Sequence, residues 1–391
     1  MSVWGIVAEY HPFHNGHQYQ IDWIRQQDRE AIIIAVMSGN FMQRGIPALM
    51  DKWMRTEMTL AAGIDLVMEL PIHFAIQAAD FFARGGLSVL TQLEIDHLVF
   101  GCESGMATDF QNAAEVFLDQ EHKIFQKVRE NSKSQAYPEA LQAAIMQSEL
   151  PITLDLTTSN NRLGFSYAKE IVSNHLDVKM HPLERIGTSH FDQRLIEGKQ
   201  YASGTAIRQA LLKKEDIHAF VPKSTFQIIA QANANLITWK DFWPYLKYQL
   251  IVSSIDSLQM IYQMNNGLEY LLKDAARKAD TYAQFLEYIK TKAYTQARLE
   301  RLALYGLLRW NGPDMISRLN EKANLRVLGF SELGRSYLKL LRRKGIRPDT
   351  IIGKVESNTY ALDIQAGEIY RLAKPTAVKI QDYTRNPVQR R

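Results

Sequence analysis

Apolar runs that do not alternate with polar residues recur four times in about the first 105 residues: 3–8, 31–36, 65–70 and 97–100. A strand exposed on one face alternates, so these runs predict strands buried on both faces. Between them lie segments with apolar residues at helical spacing, 18–27, 51–62 and 74–91, the second closed by Gly63 at a C′ position. Strand and helix thus take turns, which predicts a parallel sheet wrapped by right-handed crossovers. Residues 107–150 read as helical, with a polar break at 131–135. A cap at Ser159, Asn160 and Asn161 precedes a helix over 163–174, and 178–186 reads as a fifth strand. After a polar loop, 187–202, Ser203 or Thr205 caps another helix with its amides pointing outward.

Beyond residue 217 the pattern changes. Aromatic and aliphatic stripes at helical period, such as Phe242, Tyr245, Leu246 and Leu250, run to about residue 320 without a strand. The remainder is mixed, with a short strand at 325–328, a helix over 331–344 and an extended segment at 351–354. The expected architecture is α/β: a Rossmann-like parallel-sheet catalytic domain (1–216), a helical domain (217–320) and a small basic, mixed C-terminal domain (321–391).

Composition adds three constraints. With 391 residues and 46% hydrophobic content, the chain has enough apolar material for more than one core. A single cysteine, Cys102, excludes an internal disulfide framework and a cysteine-based zinc site, which fits a reducing cytoplasm. No leader pattern and no apolar run near 18 residues is visible, so a cytoplasmic protein without a membrane partner is expected. The net charge of +4 is uneven: residues 321–391 hold 15 Lys and Arg against 7 Asp and Glu, which leaves residues 1–320 at −4. A polyanion docking at the C-terminal end is the partner this asymmetry suggests.

The candidate chemistry lies where the first strand ends, in His14-Asn15-Gly16-His17. Ligands of open α/β sheets bind outside the carboxyl ends of strands, so two imidazoles at a strand-to-helix turn stand where a phosphate chain would lie. Being three apart, they share a face if the turn is helical, and Gly16 lets a phosphate approach the backbone. The alternative is that both cap the helix and pack on the sheet edge. No GxxxxGK[ST] loop or GxGxxG fingerprint occurs, so phosphate handling would rest on these histidines, on amides and on a distant cation. Arg208, one turn into the helix opened by Ser203-Gly204-Thr205, is the best-placed cation. Such fixed donors suit nucleotidyl transfer, with Mg2+ carried on the phosphates of ATP and Glu103 touching it at most indirectly. His181, His190 and Asp192 lack metal-ligand spacing, and Cys102 has no base beside it, so no metal ligand is assigned.

These residues sit in strings that together carry a resemblance: GIVAEYHPFHNGHQY, SGNFMQRGIPALMDKWMR, GIDLVMELP, FGCES, SNNRLGFSYAKE, RIG and SGTAIR, with VLGFSELG further on. In this order they resemble the bacterial tRNA(Met) cytidine acetate ligases of the HxGH nucleotidyltransferase superfamily. The resemblance implies an enzyme that makes acetyladenylate and pyrophosphate from acetate and ATP, then acetylates the wobble cytidine of elongator tRNA(Met). It implies ATP contacts at Val7, Ala8, Glu9, Tyr10, His11, Pro12, Phe13, His14, Asn15, Gly16, His17, Gln18, Tyr19 and Gln20, and at Gly101, Asn161, Arg185 and Ile186. His14 and His17 correspond to the superfamily's phosphate-binding pair, and Ser203, Thr205 and Arg208 to its second phosphate motif. The sequence departs from the family at His11, where Asn is usual, and at residues 187–192. For tRNA, the basic tail points to Arg342, Arg343 and Lys344. A small-molecule adenylyltransferase and a non-catalytic tRNA-binding protein are the competing readings.

Overall fold

The computed structural model describes residues 2–132, 137–147, 152–186, 195–196, 198–231 and 235–390. His190 and Asp192, and most of the loop that holds them, lie outside the described residues, as do residues 133–135 of the expected break. Among the described residues seven strands form one sheet: β1 (Val3–Ala8), β2 (Ile32–Ser38), β3 (Leu66–Leu70), β4 (His97–Cys102), β5 (Lys179–Glu184), β6 (Arg326–Phe330) and β7 (Val388–Gln389). Their order is β5-β4-β1-β2-β3-β6-β7. The first five pair in parallel. From β1 the chain steps outward through β2 and β3, then returns to place β4 on the other side of β1. The switch point is therefore the β1/β4 crevice, where ligands of such sheets bind.

The absence of alternation has the expected cause. Every residue of β2 is buried, with Ile32, Ile34 and Val36 in one core cluster and Ile33, Ala35 and Met37 in another. The second cluster packs under the helices Asn15–Gln27 and Gly204–Lys213. The first packs under Ala79–Gln92 and Ser159–Ser173, and it continues into the helices of residues 239–319. Among the described residues no helix is long and apolar enough to cross a membrane.

Two elements differ from the sequence expectation. The helix expected over 74–91 is two, Ile72–Ala75 and Ala79–Gln92. Between them the Tyr305 hydroxyl donates to the Ile76 carbonyl at 2.7 Å, so a residue far along the chain satisfies the group freed by the break. The sheet is also not wholly parallel. β6 runs antiparallel to β3, and β7, which has no sequence signal, adds to β6. The segment at 351–354 contributes only an isolated bridge, Ile352 with Tyr383.

β6 is anchored by buried charge. Lys52 Nζ lies 2.7 Å from Glu69 and 2.6 Å from Asp382, and Arg326 bonds the same two carboxylates. All four side chains are buried. Nearby, Gln381 accepts from the Asn40 amide and, through its carbonyl, from Trp53 Nε1, so residues 381–382 are wedged between the helix Lys52–Ala61 and the sheet.

Candidate functional site

The chain leaves β1 through a turn in which Tyr10 takes a left-handed φ of 45°. That conformation is unfavourable for a side chain with Cβ. Packing holds it, the ring lying 4.9 Å from Phe13 and 4.8 Å from His17 between centroids. Asn15 ties the loop from above, its amide donating to the carbonyls of Gln200 and Ala219. Buried Arg55 ties it from below by donating to the carbonyls of Glu9, Ser38 and Gly39. Sequence reading does not single out Arg55, which shares the buried face of its helix with Lys52, Thr56 and Thr59 as well as with Met58.

His14 is the N-cap of the helix Asn15–Gln27, and it forms a capping box with His17. His14 Nδ1 accepts from the Gly16 amide at 3.1 Å, and His17 Nδ1 accepts from the His14 amide at 3.2 Å. An accepting ring nitrogen carries no proton, so both imidazoles keep theirs on Nε2. The rings stack at 3.6 Å between centroids, inclined by 19°. Gly16 permits this geometry, since a Cβ there would sit 3.0 Å from His14 Cε1. Capping and phosphate binding are therefore compatible: each ring caps through one nitrogen and offers the other.

Cations converge on the pair. Burial, followed by Arg185 and Arg208, lowers His14 to about 3, and burial, then His14 and Arg185, hold His17 well below the usual imidazole value. Arg208 donates to the His11 carbonyl at 3.0 Å and to Thr205 Oγ1 at 2.9 Å, which aims it across the helix start capped by Ser203. Gln20, Gly101 and Arg185 meet at the β4 side of the crevice: a Cβ at Gly101 would lie 3.5 Å from Gln20 Nε2 and 3.7 Å from Arg185 Cγ.

The low pKa values have a sign. The unfolded chain protonates first, so the stability that His14 contributes is full above about 6.5 and is lost as pH falls towards 3, and His17 acts in the same direction. Arg185→Gln removes one like charge and is expected to raise both imidazole titrations, read from the ring protons by NMR. Unmoved titrations would contradict this electrostatic picture.

Other expected site residues take different places. Asn161 is buried, accepting from the amides of Glu103 and Ser104 and donating to Ser104 and Asp155, so it shapes the turn after β4. Glu103 in turn accepts from Asn160 and Asn161 at the start of the helix Ser159–Ser173. His11 accepts from the Leu49 amide through Nε2 at 2.8 Å, facing the loop after β2 rather than His14. Ile186 is exposed. Cys102 is buried, and burial with Glu103 and Glu184 pushes its thiol up to about 11, unlike a nucleophile. His181 is paired with His97 at 3.0 Å, and Trp4 stacks on His97.

The basic tail lies apart from this crevice. Lys344 pairs with Glu94, in the turn that enters β4 at the amino ends of the parallel strands. Arg342 lines a cavity of about 480 Å³ with Arg347, Asp349, Thr350 and Glu356.

Three comparisons agree with the geometry. The family model described as HIGH Nucleotidyl Transferase matches residues 1–386. A tRNA(Met) cytidine acetate ligase of Levilactobacillus brevis is 39% identical, covering 99% of this chain and 97% of the relative. The ligase of that name from Bacillus subtilis is 36% identical over 100% of this chain and 97% of its own. Among solved structures, Thermotoga maritima TmcAL superposes with a TM-score of 0.89 at 29% identity, covering 100% of this chain and 99% of that one. The same protein bound with alpha-thio ATP gives 0.88 at 28% identity, with the same coverage.

Proposed function

This chain belongs to the HIGH nucleotidyl transferase family and, within it, to the tRNA(Met) cytidine acetate ligases, and from that premise we propose how its own residues carry the reaction. It is an ATP-dependent ligase that makes acetyladenylate and acetylates tRNA(Met). In the first step an acetate oxygen attacks the α-phosphorus of ATP and the bond to pyrophosphate breaks. Charge grows on the bridging and non-bridging oxygens, where fixed donors lower the barrier. His14 and His17 supply Nε2–H donors and Arg208 a guanidinium, while Gln20, Gly101 and Arg185 line the nucleotide side. The observation that carries this reading is the stacked pair with both Nδ1 atoms occupied by backbone amides.

In the second step the exocyclic amine of the wobble cytidine of elongator tRNA(Met) attacks the acetyl carbon. AMP leaves with the bonding pair, the amine gives up one proton to water, and N4-acetylcytidine results. Glu103 is engaged with Asn160 and Asn161 at a helix start, so a Mg2+ ion accompanying ATP would be carried mostly by the phosphates and water, and it would supply charge neutralisation there.

Mass spectrometry of tRNA nucleosides after incubation with ATP and labelled acetate tests the whole reading. Labelled acetylcytidine in tRNA(Met) is expected, and pyrophosphate release without any labelled nucleoside would favour a small-molecule adenylyltransferase. Alanine at Arg342, Arg343 and Lys344 together is expected to weaken tRNA binding and its salt dependence while leaving ATP affinity unchanged. Unaltered tRNA affinity would remove the tail from the RNA surface.

A further inference from the structure

The loop of residues 39–49 reaches the mouth of the crevice from the β2 side, opposite Gly101 and Arg185. Its tip is a tight turn, with Met42 N–H donating to Ile46 O and Gly45 N–H to Met42 O, both at 2.8 Å. The turn is held from two directions. Gln43 N–H donates to Glu9 Oε1 at 2.6 Å, and Gly45, at φ 79°, presses on the helix Gln296–Leu308 so closely that a Cβ would lie 2.4 Å from Arg301 N. Only glycine fits there.

Arg44 stands at this fixed tip. It is exposed and forms no hydrogen bond or ion pair among the described residues. Its neighbours differ: Arg55, Arg162 and Arg208 all donate to backbone carbonyls. Arg44 acts on Arg208 and Arg162 through space, and on the Glu300 carboxyl of the helix Gln296–Leu308, without pairing with any of them. Less than a turn before Arg301, the Arg298 guanidinium lies 4.3 Å from the Tyr294 ring centroid. A guanidinium stacked on an aromatic ring presents both a charge and a flat face, the combination that takes RNA phosphates and unstacked bases.

Resting on the tRNA-acetylating reading above, we propose that Arg44 and the Arg298–Tyr294 stack form the cationic rim that seats the tRNA anticodon arm beside the nucleotide site. The triphosphate is met from the other wall, by His14, His17 and Arg208. The rim therefore serves the acceptor, and it lies at the crevice itself, whereas Lys344 lies at the opposite end of the strands.

The test uses the full chain with Arg44→Gln, Arg298→Gln and Arg44→Lys, and a tRNA(Met) transcript. Each Gln variant is expected to raise the KM for tRNA about tenfold and to make its log–log salt dependence shallower by about 0.7–0.9, one phosphate contact. Arg44→Lys should keep the salt slope, since the charge remains. Pyrophosphate release from ATP and acetate without tRNA should stay within about twofold of the unaltered chain. Unchanged tRNA KM and slope in both Gln variants would overturn the proposal. So would equal losses in pyrophosphate release and acetyl transfer, which would assign Arg44 to the triphosphate. If the unaltered chain releases pyrophosphate but acetylates no tRNA, the reading beneath fails first, whatever either arginine does.

Discussion

Alanine in place of either His14 or His17 is expected to slow adenylate formation by about 10²–10³, the cost of one pre-aimed donor to a developing anion. The double replacement should not multiply the two losses, because the rings act as one unit: each Nδ1 is fixed by a backbone amide of the same turn, and the rings stack. Stability should fall by only about 1 kcal/mol per lost cap, so the variants can be compared as folded proteins. Pyrophosphate release at saturating acetate reads the effect. A double variant that still forms adenylate at near-normal rate would show that the phosphates bind elsewhere. Asparagine at His14, which can still accept from the Gly16 amide, should keep the cap but not the rate, separating the two duties of one ring.

The second large effect is on stability. Arg326→Met would leave Glu69 and Asp382 buried against Lys52 alone, and removing one partner from a buried charge network costs about 3–5 kcal/mol. Four chain segments share the loss, since Lys52, Glu69, Arg326 and Asp382 belong to a helix, β3, β6 and the C-terminal stretch. The urea midpoint should fall sharply, and the tie between residues 381–382 and the sheet should loosen first, read by hydrogen exchange. Burial raises the Asp382 carboxyl, but Lys52 and Arg326 outweigh it and lower the net value below 3.8. A depressed carboxylate contributes its stability above that value and loses it as pH falls further, so the unaltered chain should weaken in acid through this group. Arg326→Met should blunt that dependence. An unchanged midpoint would mean that the network is replaceable by apolar contact.

Much of the catalytic half was legible because burial leaves a trace in composition. β1 to β4 are short runs without alternation, and they are so because both faces of β2 enter cores. His14-Asn15-Gly16-His17 was legible for a related reason: a strand-to-helix turn exposes amides, and few residue types can serve a phosphate there. Asn161 was not legible as a turn-shaping residue, since its partners lie 57 or 58 positions away or on Asp155, and no spacing rule connects them. The break between Ala75 and Ala79 was hidden for the same cause. The local pattern is helical throughout, and the Ile76 carbonyl freed by the interruption is met by the Tyr305 hydroxyl, far along the chain.

By itself, then, the sequence determined the local elements and the chemistry at the end of the first strand, because periodicity and turn residues act over a few positions. Only the tertiary structure decided that β4 lies beside β1, that Arg208 is aimed by the His11 carbonyl, and that β6 closes the sheet antiparallel over a buried charge network. Those outcomes depend on groups far apart in the chain finding one another in a low-dielectric interior, where an unpaired charge or amide is too costly to leave alone. That energy belongs to the assembled pair and is written in neither partner's neighbourhood.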